Sequence, residues 1–245
     1  MYRHGTLLAI ASGKGGVGKT WLAITLAHAL AAQGARILLV DADFGLANVD
    51  IQLGLMPVRD LSNVLAGTIP LAGAVFHHDA GFDIIPGRSG AAGLPQRSLA
   101  DLLPPLKALA ENYDLVLLDL GSGLDPTLRH LAAVADALLV VITEDPTSLT
   151  DGYAVLKLHG QDCAHPIPTH IVVNQATSPA SGARVFATLA QACRRYLTVT
   201  PDLLGIIRRD DRVRDAIRRQ TPLLRRHPAA AAARDVEAIA HIIHA

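Results

Sequence analysis

The stretch Gly13-Lys14-Gly15-Gly16-Val17-Gly18-Lys19-Thr20 constrains this chain more than any other. An apolar run, Leu7-Leu8-Ala9-Ile10-Ala11, precedes it and reads as a buried strand. Trp21 to Leu30 follows with apolar residues at helical spacing. Strand, glycine loop and helix in that order are the context of a phosphate-binding loop, and Gly13, Gly18, Lys19 and Thr20 meet its G-x-x-x-x-G-K-T pattern. Glycines let the backbone turn tightly and aim N–H groups at phosphate oxygens. The helix that starts there adds its positive dipole end. Lys19 is expected to sit on the β- and γ-phosphates, and Thr20 to offer its hydroxyl to Mg²⁺.

Composition bounds the rest. Half of the 245 residues are hydrophobic, which suits one α/β domain over 1–245 with a large core. Lys+Arg and Asp+Glu are equal at 22 each, so no overall charge calls for nucleic acid or an anionic membrane. The histidines are scattered apart from His77-His78 and show no metal-ligand spacing. Two cysteines, Cys163 and Cys193, form no C-x-x-C pattern, so no disulfide framework is expected and a reducing cytoplasm fits. A core strand comes within a few residues of Met1, so no signal peptide is expected. The best candidate for a membrane span, Leu131 to Ile142, is interrupted by Asp136.

Further strands end in polar residues. Arg36-Ile37-Leu38-Leu39-Val40-Asp41 leads into Ala42-Asp43-Phe44-Gly45-Leu46-Ala47-Asn48-Val49-Asp50. Carboxylates at the C-terminal end of a strand lie on the ligand side of a parallel sheet, although turns also favour acids. Tyr113-Asp114-Leu115-Val116-Leu117-Leu118-Asp119 has the Walker B form, in which Asp119 holds Mg²⁺ through water. Ile171-Val172-Val173-Asn174-Gln175 ends in an Asn, and Leu203 to Ile207 is the last strand. Residues Asp60 to His78 read as two short helices, and Phe82 to Pro86 as a short strand before the glycine loop Gly87 to Gly93. Leu99 to Asn112 reads as a helix that Pro104 and Pro105 break or delay. Thr147 or Ser148 is expected to cap the helix that follows. The order of strands and helices predicts a doubly wound α/β fold, a mostly parallel sheet flanked by helices.

Lys14 adds a second lysine to the loop. With it, K-G-G-V-G-K-T resembles the deviant phosphate loop of the MinD/ParA family of signature-lysine P-loop ATPases. D-A-D-F-G-L-A-N-V-D-I-Q-L-G-L and P-T-S-L-T-D are similar to the flagellar-number regulators of the FlhG/FleN branch. The resemblance implies an Mg²⁺-dependent ATPase that forms a homodimer when ATP binds, with Lys14 reaching the partner subunit's nucleotide. It places Asp43 on the attacking water, Asp41 near the Mg²⁺ shell and Asn174 on the adenine, although an Asn in a turn is the plainer reading. Arg208-Arg209-Asp210 stands where relatives carry Pro-x-Asp beside the base, and Leu120 follows Asp119 where relatives carry a small or hydroxyl residue.

The expected catalytic residues are therefore Lys14, Lys19 and Asp43. The nucleotide set is Gly13, Lys14, Gly15, Gly16, Val17, Gly18, Lys19, Thr20, Trp21, Asn174 and Arg208. The metal set is Thr20, Asp41, Asp43 and Asp119. Output is expected to be spatial or numerical control of flagella or another polar structure, from the cytoplasm or a cell pole, through a protein partner. A DNA-partitioning ATPase and a cell-division regulator are the alternatives. An arginine cluster, Arg208 to Arg226, reads as a solvated face or as a dock for an acidic partner or DNA. Neither the N-terminal glutamine-containing extension of the flagellar regulators nor the basic C-terminal tail of MinD is expected here.

Overall fold

The structure, a computed structural model, describes residues 4–43, 45–87, 99–197 and 199–244. It opens with β1 (Thr6–Ser12), α1 (Lys19–Ala32), β2 (Ile37–Ala42), α2 (Val49–Leu53) and α3 (Leu61–Leu65). A 3-10 turn (Leu71–Ala74), β3 (Phe76–His77), β4 (Asp83–Ile85), α4 (Leu99–Ala110) and β5 (Leu115–Ser122) follow. Then come α5 (Pro126–Val134), β6 (Ala137–Ile142), α6 (Pro146–Asp162), β7 (Thr169–Ala176) and α7 (Pro179–Tyr196). The chain finishes with β8 (Asp202–Arg208), α8 (Asp211–Arg218), α9 (Leu223–Arg226) and α10 (Ala231–His244).

One eight-stranded sheet runs in the order β3-β4-β2-β5-β1-β6-β7-β8. Its strands pair in parallel except at the edge, where β3 is antiparallel to β4. Both faces are covered, which explains why the strands read as unbroken apolar runs. In β1, Leu8 and Ile10 enter the core under α1 and α10, while Leu7 and Ala9 enter the core under α4, α5 and α6. Helix α1 packs on β1, β2 and β5 and against α10, which lies on the same face of the sheet over β8, and it is buried nearly all round. It ends before Gly34, whose φ of +90° is the left-handed conformation that a glycine permits after a helix.

Several local expectations change. Helix α4 runs through Pro104 and Pro105. Both prolines lie on its exposed face, so the missing N–H groups fall on the solvent side while Leu102, Leu106 and Ala110 hold the buried side. Helix α6 begins at Pro146 and is capped by Asp145, whose carboxylate accepts the Thr147 N–H at 3.1 Å. Ser148 instead accepts the Thr143 N–H. Asp followed by Pro is a cap and first-turn pair, so the signal was present two or three residues earlier. Helices α2, α5 and α9 and the edge strand β3 were not anticipated. The apolar stretch Leu131 to Ile142 divides between α5 and β6, and Asp136 accepts the Leu7 N–H at 2.8 Å. Among the described residues no helix is long and apolar enough to cross a membrane. Both cysteines are free. Of the glycine loop after β4, only Gly87 lies within the described residues.

Candidate functional site

The C-terminal ends of β1, β2 and β5 gather the motifs at one edge of the sheet. The phosphate loop joins β1 to α1. Gly16 and Gly18 take φ of +80° and +86°, which L side chains rarely adopt. Space forbids a side chain at two of its glycines as well. A Cβ on Gly13 would lie 2.4 Å from the Asp151 carbonyl oxygen, and one on Gly18 would lie 2.5 Å from Asn174 Nδ2. The loop therefore packs against α6 on one side and β7 on the other.

Lys19 is almost fully buried, and its Nζ lies 2.6 Å from Asp119 Oδ1. Asp119 and Asp41 are partners in the β5–β2 register, so two carboxylates stand side by side at the sheet edge. Asp41 Oδ1 accepts the Asp43 N–H at 3.2 Å, and its Oδ2 accepts the N–H groups of Asn48 and Val49, each at 3.0 Å. Burial, and next the Asp119 charge, push the Asp41 carboxyl up to about 7 despite these three donors. Asp119 is also raised by burial, with the Lys19 ammonium and the Thr20 hydroxyl opposing. Asp43 Oδ1 caps its own turn through the Gly45 and Leu46 N–H groups at 3.1 and 2.9 Å. A Cβ on Gly121 would lie 3.3 Å from that carboxylate, so the loops after β2 and β5 meet there.

The residues present fit a magnesium ion. Asp119 Oδ2 is buried with no hydrogen-bond partner, and the nearby donors are hard oxygens from carboxylates and a hydroxyl. Among the described residues no group of three or more His, Cys, Asp or Glu forms a complete metal cage. A magnesium ion beside a nucleotide is held by one or two protein oxygens, with water and phosphate completing its shell.

Other predicted residues take different places. Lys14 Nζ is 2.7 Å from Asp145 Oδ2 and 2.7 Å from Thr147 Oγ1, at the start of α6 in its own chain. Asn174 donates its Nδ2 to the Val17 carbonyl at 2.7 Å, and Gln175 reaches Gly16 at 3.3 Å. Both brace the phosphate loop, and Asn174 Oδ1 also accepts the Gln175 N–H at 2.9 Å. The Arg208 guanidinium forms a two-point pair with Asp235 of α10, at 2.9 and 2.7 Å, which ties β8 to α10. Trp21 is buried in the core beneath α10, and its indole N–H has no partner. Leu120 is buried. Sequence reasoning missed Asp145, Gln175 and Asp235. Only Asp145 carried a local signal.

A phosphate loop entering a helix, beside a strand-end Asp on a doubly wound parallel sheet, defines the P-loop nucleotide-binding class. Residues 8–223 match the CobQ/CobB/MinD/ParA nucleotide binding domain, and the chain belongs to that family. It is an ATP-hydrolysing P-loop enzyme of the MinD/ParA type. It is 35% identical over 238 residues to the antiactivator FleN of Pseudomonas aeruginosa, covering 96% of this chain and 84% of the relative. It is 28% identical to the flagellum site-determining protein YlxH of Helicobacter pylori, over 78% of this chain and 65% of that one. The cell division ATPase MinD of Pyrococcus furiosus shares the fold with a TM-score of 0.82 over 98% of both chains, at 24% identity. MinD of Pyrococcus horikoshii, solved with Mg-ADP, superposes with a TM-score of 0.80 at 25% identity, over 99% of this chain and 96% of that one.

Proposed function

We propose that this ATPase binds ATP with Mg²⁺ at the β1–β2–β5 edge and uses the bound triphosphate to switch between monomer and homodimer. Its output is control of the number or placement of flagella or another polar structure. The observation that carries the switch is the pair of lysines on one loop. Lys19 is buried on Asp119, while Lys14 stands half-exposed at the rim. One is built to serve its own nucleotide, and the other would leave Asp145 and Thr147 to swing towards a second copy. The likeness to FleN and YlxH supports the flagellar output.

In this reading the backbone N–H groups of Gly15 to Lys19 cradle the phosphates, and Lys19 exchanges part of its contact with Asp119 for phosphate oxygens. Mg²⁺, when bound, screens phosphate charge and polarises the bond to be cleaved. Thr20 and Asp119 hold it, with Asp41 behind them. Asp43, at the junction of the two loops, orients the attacking water. Facing triphosphates repel, and Lys14 from each subunit neutralises that repulsion in the dimer.

Sedimentation of the protein with ADP, ATP and a non-hydrolysable analogue tests the switch. A dimer with the triphosphates only is expected; a monomer with all three sinks the proposal. Counting flagella in cells deprived of the protein tests the output. Unchanged number and placement would remove it. Salt-dependent, ATP-requiring binding to DNA would favour a partitioning role instead.

A further inference from the structure

Four large apolar side chains stand exposed on the stretch that follows the Asp41 loop. They are Leu46, Ile51, Met56 and Val58, the last two at 95% and 94% of full exposure. Neighbours in the same stretch are core residues: Val49 and Leu53 of α2 and Leu61 of α3 are buried. Scattered single exposures need no explanation, but four within one short segment concentrate apolar surface where a partner would cover it.

The border of this ridge is cationic. The C-terminal end of α8 packs against α2, where Gln220 Nε2 donates to the Ile51 carbonyl at 3.0 Å. A Cβ on Gly54 would lie only 3.1 Å from the Gln220 side chain, so the two segments are in close contact. Arg218 and Arg219, just before Gln220, and Arg59, just after Val58, are exposed. None of the three ion-pairs with a described residue. Arg208, Arg225 and Arg226 differ, being engaged by Asp235, Asp79 and Asp215. Of the acids within this stretch, Asp50 accepts the Ile51 N–H of its own helix, and Asp60, after Arg59, caps α3 through the Ser62 and Asn63 N–H groups.

We propose that this ridge docks an acidic amphipathic segment of a partner protein. Its apolar face would cover Ile51, Met56 and Val58, and its carboxylates would meet Arg59, Arg218 and Arg219. Nucleic acid would use the arginines but gain nothing from Met56 and Val58. A bilayer calls for a long amphipathic helix lying in its plane, whereas this ridge is a five-residue helix and a bent connection. The surface also reports on the nucleotide site, a point that rests on the reading of Asp41 given above. Asp41 Oδ2 holds the N–H groups of Asn48 and Val49 at the start of α2, and Ile51 lies within that helix.

The test pans a displayed peptide library against the nucleotide-free protein. Affinities are then measured by fluorescence anisotropy for the parent and for M56S/V58S and R218E/R219E. Each variant is checked for a parental melting profile and, separately, for ATP affinity. Enriched peptides should be acidic and amphipathic, and each double variant should weaken them by roughly tenfold or more. Added salt should weaken them as well. The proposal is overturned if no peptide is enriched, if the enriched peptides are not acidic, or if both variants bind them like the parent. It is also overturned if the same substitutions instead abolish binding to phosphatidylglycerol vesicles or self-association. A parent that fails to bind ATP would sink the nucleotide reading while leaving docking by the nucleotide-free protein to stand or fall on its own result.

Discussion

Lys14 Nζ lies 2.7 Å from Asp145 Oδ2, a residue 131 positions away that also caps α6. The contact ties the phosphate loop to the start of a helix in the same chain, and Thr147 Oγ1 completes it at 2.7 Å. The Lys14 ammonium is the main reason the Asp145 carboxyl is held below its ordinary range. A lysine held this way must let go before it reaches a second subunit. Asp145→Asn keeps an oxygen for the Thr147 N–H but removes the charge. It should shift ATP-dependent dimerisation to lower protein concentration by about two- to fivefold, the modest effect of a solvent-exposed pair. Sedimentation equilibrium with ATP reads the shift, and an unchanged or weakened dimer would show that the pair does not restrain Lys14.

The two loop lysines should fail in different ways. Lys19→Ala removes a phosphate contact within the monomer and should weaken ATP binding by about 10- to 100-fold. Lys14→Ala should bind ATP like the parent yet remain monomeric and hydrolyse slowly. Calorimetry for affinity and light scattering for mass separate the two. A Lys14→Ala variant that dimerises and turns over normally would reduce that lysine to an ordinary loop charge.

Asp43 sits where the loops after β2 and β5 meet, half-buried beside Gly121. Asp43→Ala should leave ATP affinity near that of the parent and slow phosphate release by at least about a hundredfold. Parental turnover in single-turnover assays would remove Asp43 from the chemistry.

Asp41 makes stability depend on pH. Its carboxyl titrates at about 7 in the folded chain and at an ordinary value near 3.8 when unfolded. Between those values the folded state binds the extra proton, so raising the pH destabilises it. Without nucleotide or metal, the melting temperature should therefore fall as pH rises from 5 to 8. Asp119, raised in the same direction, adds to the slope. Asp41→Asn should flatten the curve, and Mg²⁺ with nucleotide should recover stability most at the alkaline end, where the carboxylates are charged. A flat profile for the metal-free parent would contradict the burial of this pair.

Arg208 should matter for stability rather than for nucleotide. Arg208→Ala leaves Asp235 with only the residue 208 backbone N–H, which now sits at 2.9 Å. The melting temperature should drop by roughly a few degrees, with ATP affinity unchanged. A large loss of affinity for ATP over other triphosphates would return Arg208 to the base.

Much of this molecule was legible from residue order because its information is local. The loop from Gly13 to Thr20 carries its own backbone demands, and Gly16 and Gly18 adopt the positive φ that those glycines permit. Strands such as Leu115-Val116-Leu117-Leu118 announce burial on both faces through their uninterrupted apolar character. Prolines 104 and 105 misled because propensity prices a lost N–H bond without knowing which side of α4 faces water. The Thr147 and Ser148 cap was misplaced by two or three residues, since several neighbouring oxygens compete for the same N–H groups and only the backbone path decides among them.

The sequence by itself determined the nucleotide class, the alternation of strands and helices, and the carboxylates at the strand ends. Those follow from backbone conformation and hydrophobic periodicity, which act over a few residues. Tertiary structure alone decided which distant groups meet. It set the strand order, brought Asp41 beside Asp119, turned Asn174 onto Val17 across 157 residues, and closed Arg208 on Asp235. A charge or amide chooses its partner by distance and desolvation, and neither exists until the sheet has assembled.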